Sequence, residues 1–147
     1  MKFKHTIVIN KPVKKVAELF AEPTHLKEYQ EGFVKKELVS GIAGQDGAIS
    51  KMYYKTKKYE MELTETITAN RLPDSFEAFY HHKHMDNTLN SSFKALSDNQ
   101  TEYVSEGEYV RVSWIMPKIM VFLFPGMFKK QVEKWLNNFK AFAEKQS

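Results

Sequence analysis

The sequence predicts an α+β fold: seven antiparallel strands in a curved sheet wrapped around one long C-terminal helix, with two short helices after the first strand. Three observations carry the prediction. Runs of alternating apolar and polar residues recur along most of the chain, as strands with one buried face require. These runs follow each other closely and are joined by turn residues, the pattern of an antiparallel meander. The end of the chain then changes period: Phe128, Val132, Trp135, Leu136, Phe139 and Phe142 recur at spacings of three and four, opposite a lysine- and asparagine-rich side.

The elements follow in order. Phe3, His5, Ile7 and Ile9 alternate with Lys4, Thr6 and Val8, a strand at period two. Asn10 offers a side-chain cap and Pro12 suits a first helical turn. Val13, Val16, Ala17 and Phe20 then mark a helix. Pro23 opens a second short helix bearing Leu26 and Tyr29, closed by Gly32. Strands are expected over 33–40, 49–56, 59–68, 75–84, 88–96 and 101–113. Their connections are a loop with Gly41, Gly44 and Gly47, then turns at Lys57-Lys58, Leu72-Pro73-Asp74, Met85-Asp86-Asn87 and Ser97-Asp98-Asn99-Gln100. The last helix is expected over roughly 117–145, with Pro125 and Gly126 at its start or at a kink. Its face Phe128, Val132, Trp135, Leu136 and Phe139 should be buried against the sheet. Only this helix offers enough apolar surface to cover one face of such a sheet, and a twisted sheet curling around it leaves space for a small molecule.

Composition narrows the function classes. The 147 residues fit one domain, 1–147. Cysteine is absent, which removes disulfides, thiolate nucleophiles and Cys-ligated metals, and suits a reducing, cytoplasmic setting. No secretion signal is read at the N-terminus. The apolar stretch 114–128 is broken by Pro117, Lys118 and Pro125, too short and interrupted for a membrane span. It reads as the start of the last helix or, functionally, as a lid over a cavity mouth that touches membranes transiently. The net charge of +4 comes from scattered lysines without a nucleic-acid motif, so a solvated basic surface is the expectation. The sequence leaves oligomeric state open.

Several residues invite chemistry. His81-His82-Lys83-His84 resembles a metal run, but on a strand only His82 and His84 share a face. Polar residues near a hairpin are the favoured reading, with no metal and no cofactor. Glu65 shares a face with Met61, Leu63 and Ile67, where a carboxylate must be paired or protonated. A bulge that slips the register would instead put it in water, and that reading weighs slightly more. Arg111 is the expected partner if both face inward. Ser91 and Ser92 lack an identifiable base, and the glycine loop lacks a phosphate-binding context.

Alternation places Tyr54, Glu65, Tyr80, His82, Tyr103, Tyr109 and Arg111 on the inner face of the sheet, with Met127, Gln131 and Trp135 closing a pocket from the helix. Polar-tipped rings stand there where a dry core prefers Leu, Ile and Val. The opening Ile7-Val8-Ile9-Asn10-Lys11-Pro12-Val13, its amphipathic helix, the loop Gly41–Gly47 and the approach Phe124-Pro125-Gly126-Met127-Phe128 together resemble the START-like, or SRPBCC, helix-grip superfamily across essentially the whole chain. The last segment resembles an uncharacterised bacterial subgroup. The resemblance implies binding or transport of a small hydrophobic or amphipathic molecule. It leaves open a polyketide cyclase/dehydrase-like enzyme, with Glu65, His82 or Tyr109 as acid/base, and a co-chaperone-like interaction module.

Overall fold

The computed structural model describes residues 2–57, 60–112 and 118–147, with side chains for all of these except 118–128. The expected Lys57-Lys58 turn, the start of the fourth strand at Tyr59, and the side chains of Met127, Phe128 and the 114–128 lid therefore lie wholly or partly outside the described residues.

Strand β1 spans Lys2–Ile9, helix α1 Val13–Ala21, and a 3-10 turn over Pro23–His25 leads into α2, Leu26–Tyr29. Strands β2 (Phe33–Ser40), β3 (Ile49–Lys55), β4 (Glu60–Arg71), β5 (Ser75–His82), β6 (Met85–Ser97) and β7 (Gln100–Val112) follow, and α3 covers Lys118–Glu144. The strands form one antiparallel sheet in the order β1-β7-β6-β5-β4-β3-β2. Each hairpin pairs with the next, while β1 returns to β7. The α1–α2 connection therefore carries the chain from one edge of the sheet to the other.

Helix α3 lies on the face that carries Tyr54 and Tyr103. Trp135 stacks on Tyr54 at 5.8 Å and 16°, and Phe139 meets Tyr103 edge-on at 5.8 Å. Leu136 and Phe139 are buried, whereas Val132 and Trp135 are half-buried. At the α1–α2 end the space is filled by rings: Phe20 meets Phe76, Phe93, Tyr103 and Phe139 within 6.2 Å, and Tyr29 meets Phe139 at 4.9 Å.

Three local expectations change. Asn10 does not cap α1. The N-cap is Pro12 with no side-chain bond, because Asn10 Oδ1 accepts from Gln100 Nε2 and its N–H donates to Glu144 Oε2. The β5–β6 turn is Lys83–His84, since His82 pairs with Met85 and the ladder runs on through Asp86 and Asn87. Strand β4 continues past Thr68 to Arg71 through a bulge between Ile67 and Ala69, beyond which Ala69 pairs with Glu77 and Asn70 with Phe76, so the alternation by number shifts by one residue.

At Gly107 the backbone of β6 and the Phe3 ring of β1 both close on β7. A Cβ there would lie 2.1 Å from Thr88 O and 2.7 Å from the Phe3 ring. Gly107→Ala is therefore expected to cost about 1–3 kcal/mol, seen as a lower urea midpoint. An unchanged midpoint would contradict this close approach.

Candidate functional site beneath the C-terminal helix

Register sorts the inner face into rows. Glu65, Tyr80, Asn87 and Tyr109 stand opposite one another across four strands, with Ser50 beside Glu65. The next row is Ile67, Ala78, Leu89, Gly107 and Phe3, and the one beyond is Phe76, Ser91, Ser105 and His5. Small side chains, Ala78, Gly107, Ser91 and Ser105, thus occupy the middle of the floor. Larger side chains at these positions would raise the floor toward α3.

Glu65 is the chemical centre of this face, with its side chain only 5% exposed. The bulge in β4 comes after Ile67, so it does not turn Glu65 to water. Tyr80 Oη donates to Glu65 Oε2 at 2.7 Å, and Lys36 Nζ lies 2.8 Å from Oε1. Lys36 stands in register with Met52 on the edge hairpin and reaches diagonally across β3 to β4. Burial, and then the neighbouring Glu65, pushes the Tyr80 phenol well above its ordinary value. Tyr80 is therefore a fixed donor to Glu65 at neutral pH. Burial also raises Tyr103 and Tyr109 to about 12. Tyr103 Oη lies 3.3 Å from Ser91 Oγ, and Tyr54 Oη donates to Gln30 Oε1 at 2.7 Å.

Among the residues expected to line a pocket, Tyr54, Glu65, Tyr80, His82, Tyr103 and Tyr109 do share the inner face. Tyr54 and Tyr103 are also members of the packed core. Gln131 and Trp135 lie on α3 one turn apart, and Met127 falls outside the described side chains. Arg111 is not brought to Glu65. The ladder pairs Asn87 with Tyr109 but Asp86 with Arg111, so a bulge at Val110 turns Arg111 to the outer face. There its Nε donates to Asp86 Oδ2 at 2.8 Å, its Nη2 donates to His82 O at 2.7 Å, and His81 Nδ1 lies 2.5 Å from Asp86 Oδ1. The Arg111 hydrogen bond holds the Asp86 carboxyl below the usual carboxylate range.

The histidine run divides as strand geometry requires. His81 faces outward, while His82 and His84 lie together with ring centroids 5.6 Å apart, and His82 Nδ1 accepts from His84 N–H at 3.1 Å. Among the described residues no group of three or more His, Asp or Glu side chains is arranged for a metal ion. Partial burial, followed by repulsion from His84, lowers the His82 pKa below 6.5. The unfolded chain therefore binds more protons than the folded one just below that value, and stability should fall as pH drops through it. Gln in place of His82 is expected to flatten the denaturant-midpoint profile between about pH 5 and 7. An unaltered slope would contradict the burial of this ring.

Sequence reasoning missed Lys36, Ser50 and Ser105 as inner-face polar groups, put His5 in the apolar row of its strand without a role, and read Ser91 only as a strand serine. A buried serine row alternating with Tyr103 and Gly107 on β7 was the available signal. Several polar atoms on or beneath α3 are sealed from solvent without a hydrogen-bond partner among the described residues: His5 Nε2, Gln131 Nε2 and Trp135 Nε1.

No family model matches the sequence, and no curated protein is similar to it in sequence. Solved structures do match. The Zhui aromatase/cyclase of Streptomyces sp. R1128 superposes with a TM-score of 0.82 at 13% identity, covering 98% of this chain and 93% of that one. The chain has the START-like helix-grip fold. A START superfamily protein of Mycobacterium smegmatis shares this helix-grip architecture at a TM-score of 0.72 and 9% identity, over 92% of this chain and 93% of that one. The protein TTHA0849 of Thermus thermophilus does so at 0.78 and 14% identity, over 97% of each chain. At these identities the likeness establishes the helix-grip fold alone. Among the described residues no helix is long and apolar enough to cross a membrane.

Proposed function

We propose that this protein binds or carries a small hydrophobic or amphipathic molecule between the inner face of the sheet and α3, in the cytoplasm. The observation that carries this reading is the set of sealed, unpartnered polar atoms, His5 Nε2, Gln131 Nε2 and Trp135 Nε1, around a floor of small side chains. Each such atom costs about 1–3 kcal/mol when left unsatisfied, and a bound polar head offsets that cost. Aromatic rings and Leu89 supply the apolar wall, and the 114–128 segment, rich in apolar residues, is the proposed lip for transient membrane contact.

A second reading, cyclase-like chemistry, draws on the buried Glu65–Tyr80 pair and on the aromatase/cyclase among the structures of the same fold. Against it, Glu65 is already engaged by both Lys36 and Tyr80 and is not free to act as the base.

The test is titration with the neutral probe N-phenyl-1-naphthylamine, with stoichiometry read by native mass spectrometry. One probe per chain is expected, displaced by sterols or quinones. Tyr109→Ala and Trp135→Ala should weaken binding, whereas Lys57→Ala, an exposed change, should not. A folded protein that takes up no probe would refute the binding reading and favour a protein-interaction module.

A further inference from the structure

Resting on that binding reading, we infer that Trp135 and Gln131 select the ligand's polar end: an uncharged acceptor oxygen, as in a ketone, quinone or ester, carried on an apolar ring system. Indole Nε1 is a donor only and cannot reverse its role by rotation. The Trp135 ring is fixed by stacking on Tyr54, so its N–H direction is set by the fold. Gln131 lies four residues earlier, on the same side of α3 and one turn away. Its amide nitrogen is likewise sealed and has no partner among the described residues. Two sealed donors one helical turn apart, without acceptors among the described residues, call for an acceptor oxygen from the ligand.

Charge excludes the anionic alternatives. Lys36 is the cation that reaches the Glu65 row, and it is already paired with Glu65. Arg111 is committed to Asp86 on the outer face. A carboxylate or phosphate head would lose its hydration beside Glu65, and neither Lys36 nor Arg111 is free to pair with it. A carbonyl oxygen asks only for the N–H groups that Trp135 and Gln131 hold out.

Three probes of similar size test this by displacement of N-phenyl-1-naphthylamine: 1-tetralone, tetralin and 1-naphthoate. The native chain should bind 1-tetralone about tenfold more tightly than tetralin, with 1-naphthoate the weakest. Trp135→Phe removes the donor while keeping an aromatic side chain, so it should erase the ketone's advantage over tetralin, whatever its effect on the affinity for both. Gln131→Met should reduce the same advantage, and it serves alone if the Trp135 variant does not fold. Equal affinity for 1-tetralone and tetralin, an advantage that survives both variants, or a preference for 1-naphthoate would each overturn the inference while leaving hydrophobic binding intact. Failure of N-phenyl-1-naphthylamine itself to bind would overturn the binding reading, and this inference with it.

Discussion

Phe139→Ala should lower the unfolding free energy by about 3–5 kcal/mol. Phe139 is 1% exposed and is the ring through which α3 grips the sheet. It meets Tyr29 at 4.9 Å, Tyr103 at 5.8 Å and Phe20 at 6.2 Å, tying α1, α2, β7 and α3 together. Truncation leaves a cavity that none of these rings can fill without leaving another contact. Urea denaturation should show a shifted midpoint, and the melting temperature should fall by roughly 10 °C. Trp135→Ala should cost less, because Trp135 is half-buried and one of its faces lies on Tyr54. If Trp135→Ala proves the more damaging of the two, the placement of the core at the α1–α2 end is wrong.

Lys36→Met should be almost as severe, at about 3 kcal/mol, for a different reason. It deletes little packing but leaves the Glu65 carboxylate buried without its cation. Removing both charges, as in Lys36→Met with Glu65→Leu, should recover most of the loss, since the desolvation cost disappears along with the attraction. A double-mutant cycle read from urea midpoints checks this. Simple additivity of the two changes would mean that the 2.8 Å pair contributes nothing.

These two residues also show how far the sequence was readable. Phe139 was legible because a helix repeats its face every three to four residues and Phe139 falls on that face. Lys36 was not, because period two says which side of β2 it occupies but not that its long stem crosses a neighbouring strand to reach β4. Alternation with Leu63 and Ile67 offered Glu65 as an inner-face residue, but the slipped register that would put it in water weighed slightly more, and the structure overturns that because the bulge falls after Ile67. Its expected partner was misplaced because a one-residue bulge at Val110 reverses every later side chain of β7. Neither valine nor its neighbours carry a residue-level signal for such a bulge. The serines were legible only as strand residues. Their role as a low floor emerges once β6 and β7 are in register with Gly107 and His5. Asn10 shows a competition that sequence cannot weigh: its side chain suits a helix cap, but long-range partners from β7 and α3 reach the same residue.

The chain has two tryptophans, Trp114 and Trp135, so Trp114→Phe makes Trp135 the sole indole. Its emission then reports directly on the proposed site between α3 and the inner face of the sheet. The central claim is that this space accepts a small apolar molecule. Titrating the single-tryptophan protein with 1-tetralone should change Trp135 emission saturably, with an end point at one ligand per chain. Emission that changes only linearly with ligand concentration, while circular dichroism shows an intact fold, would contradict it.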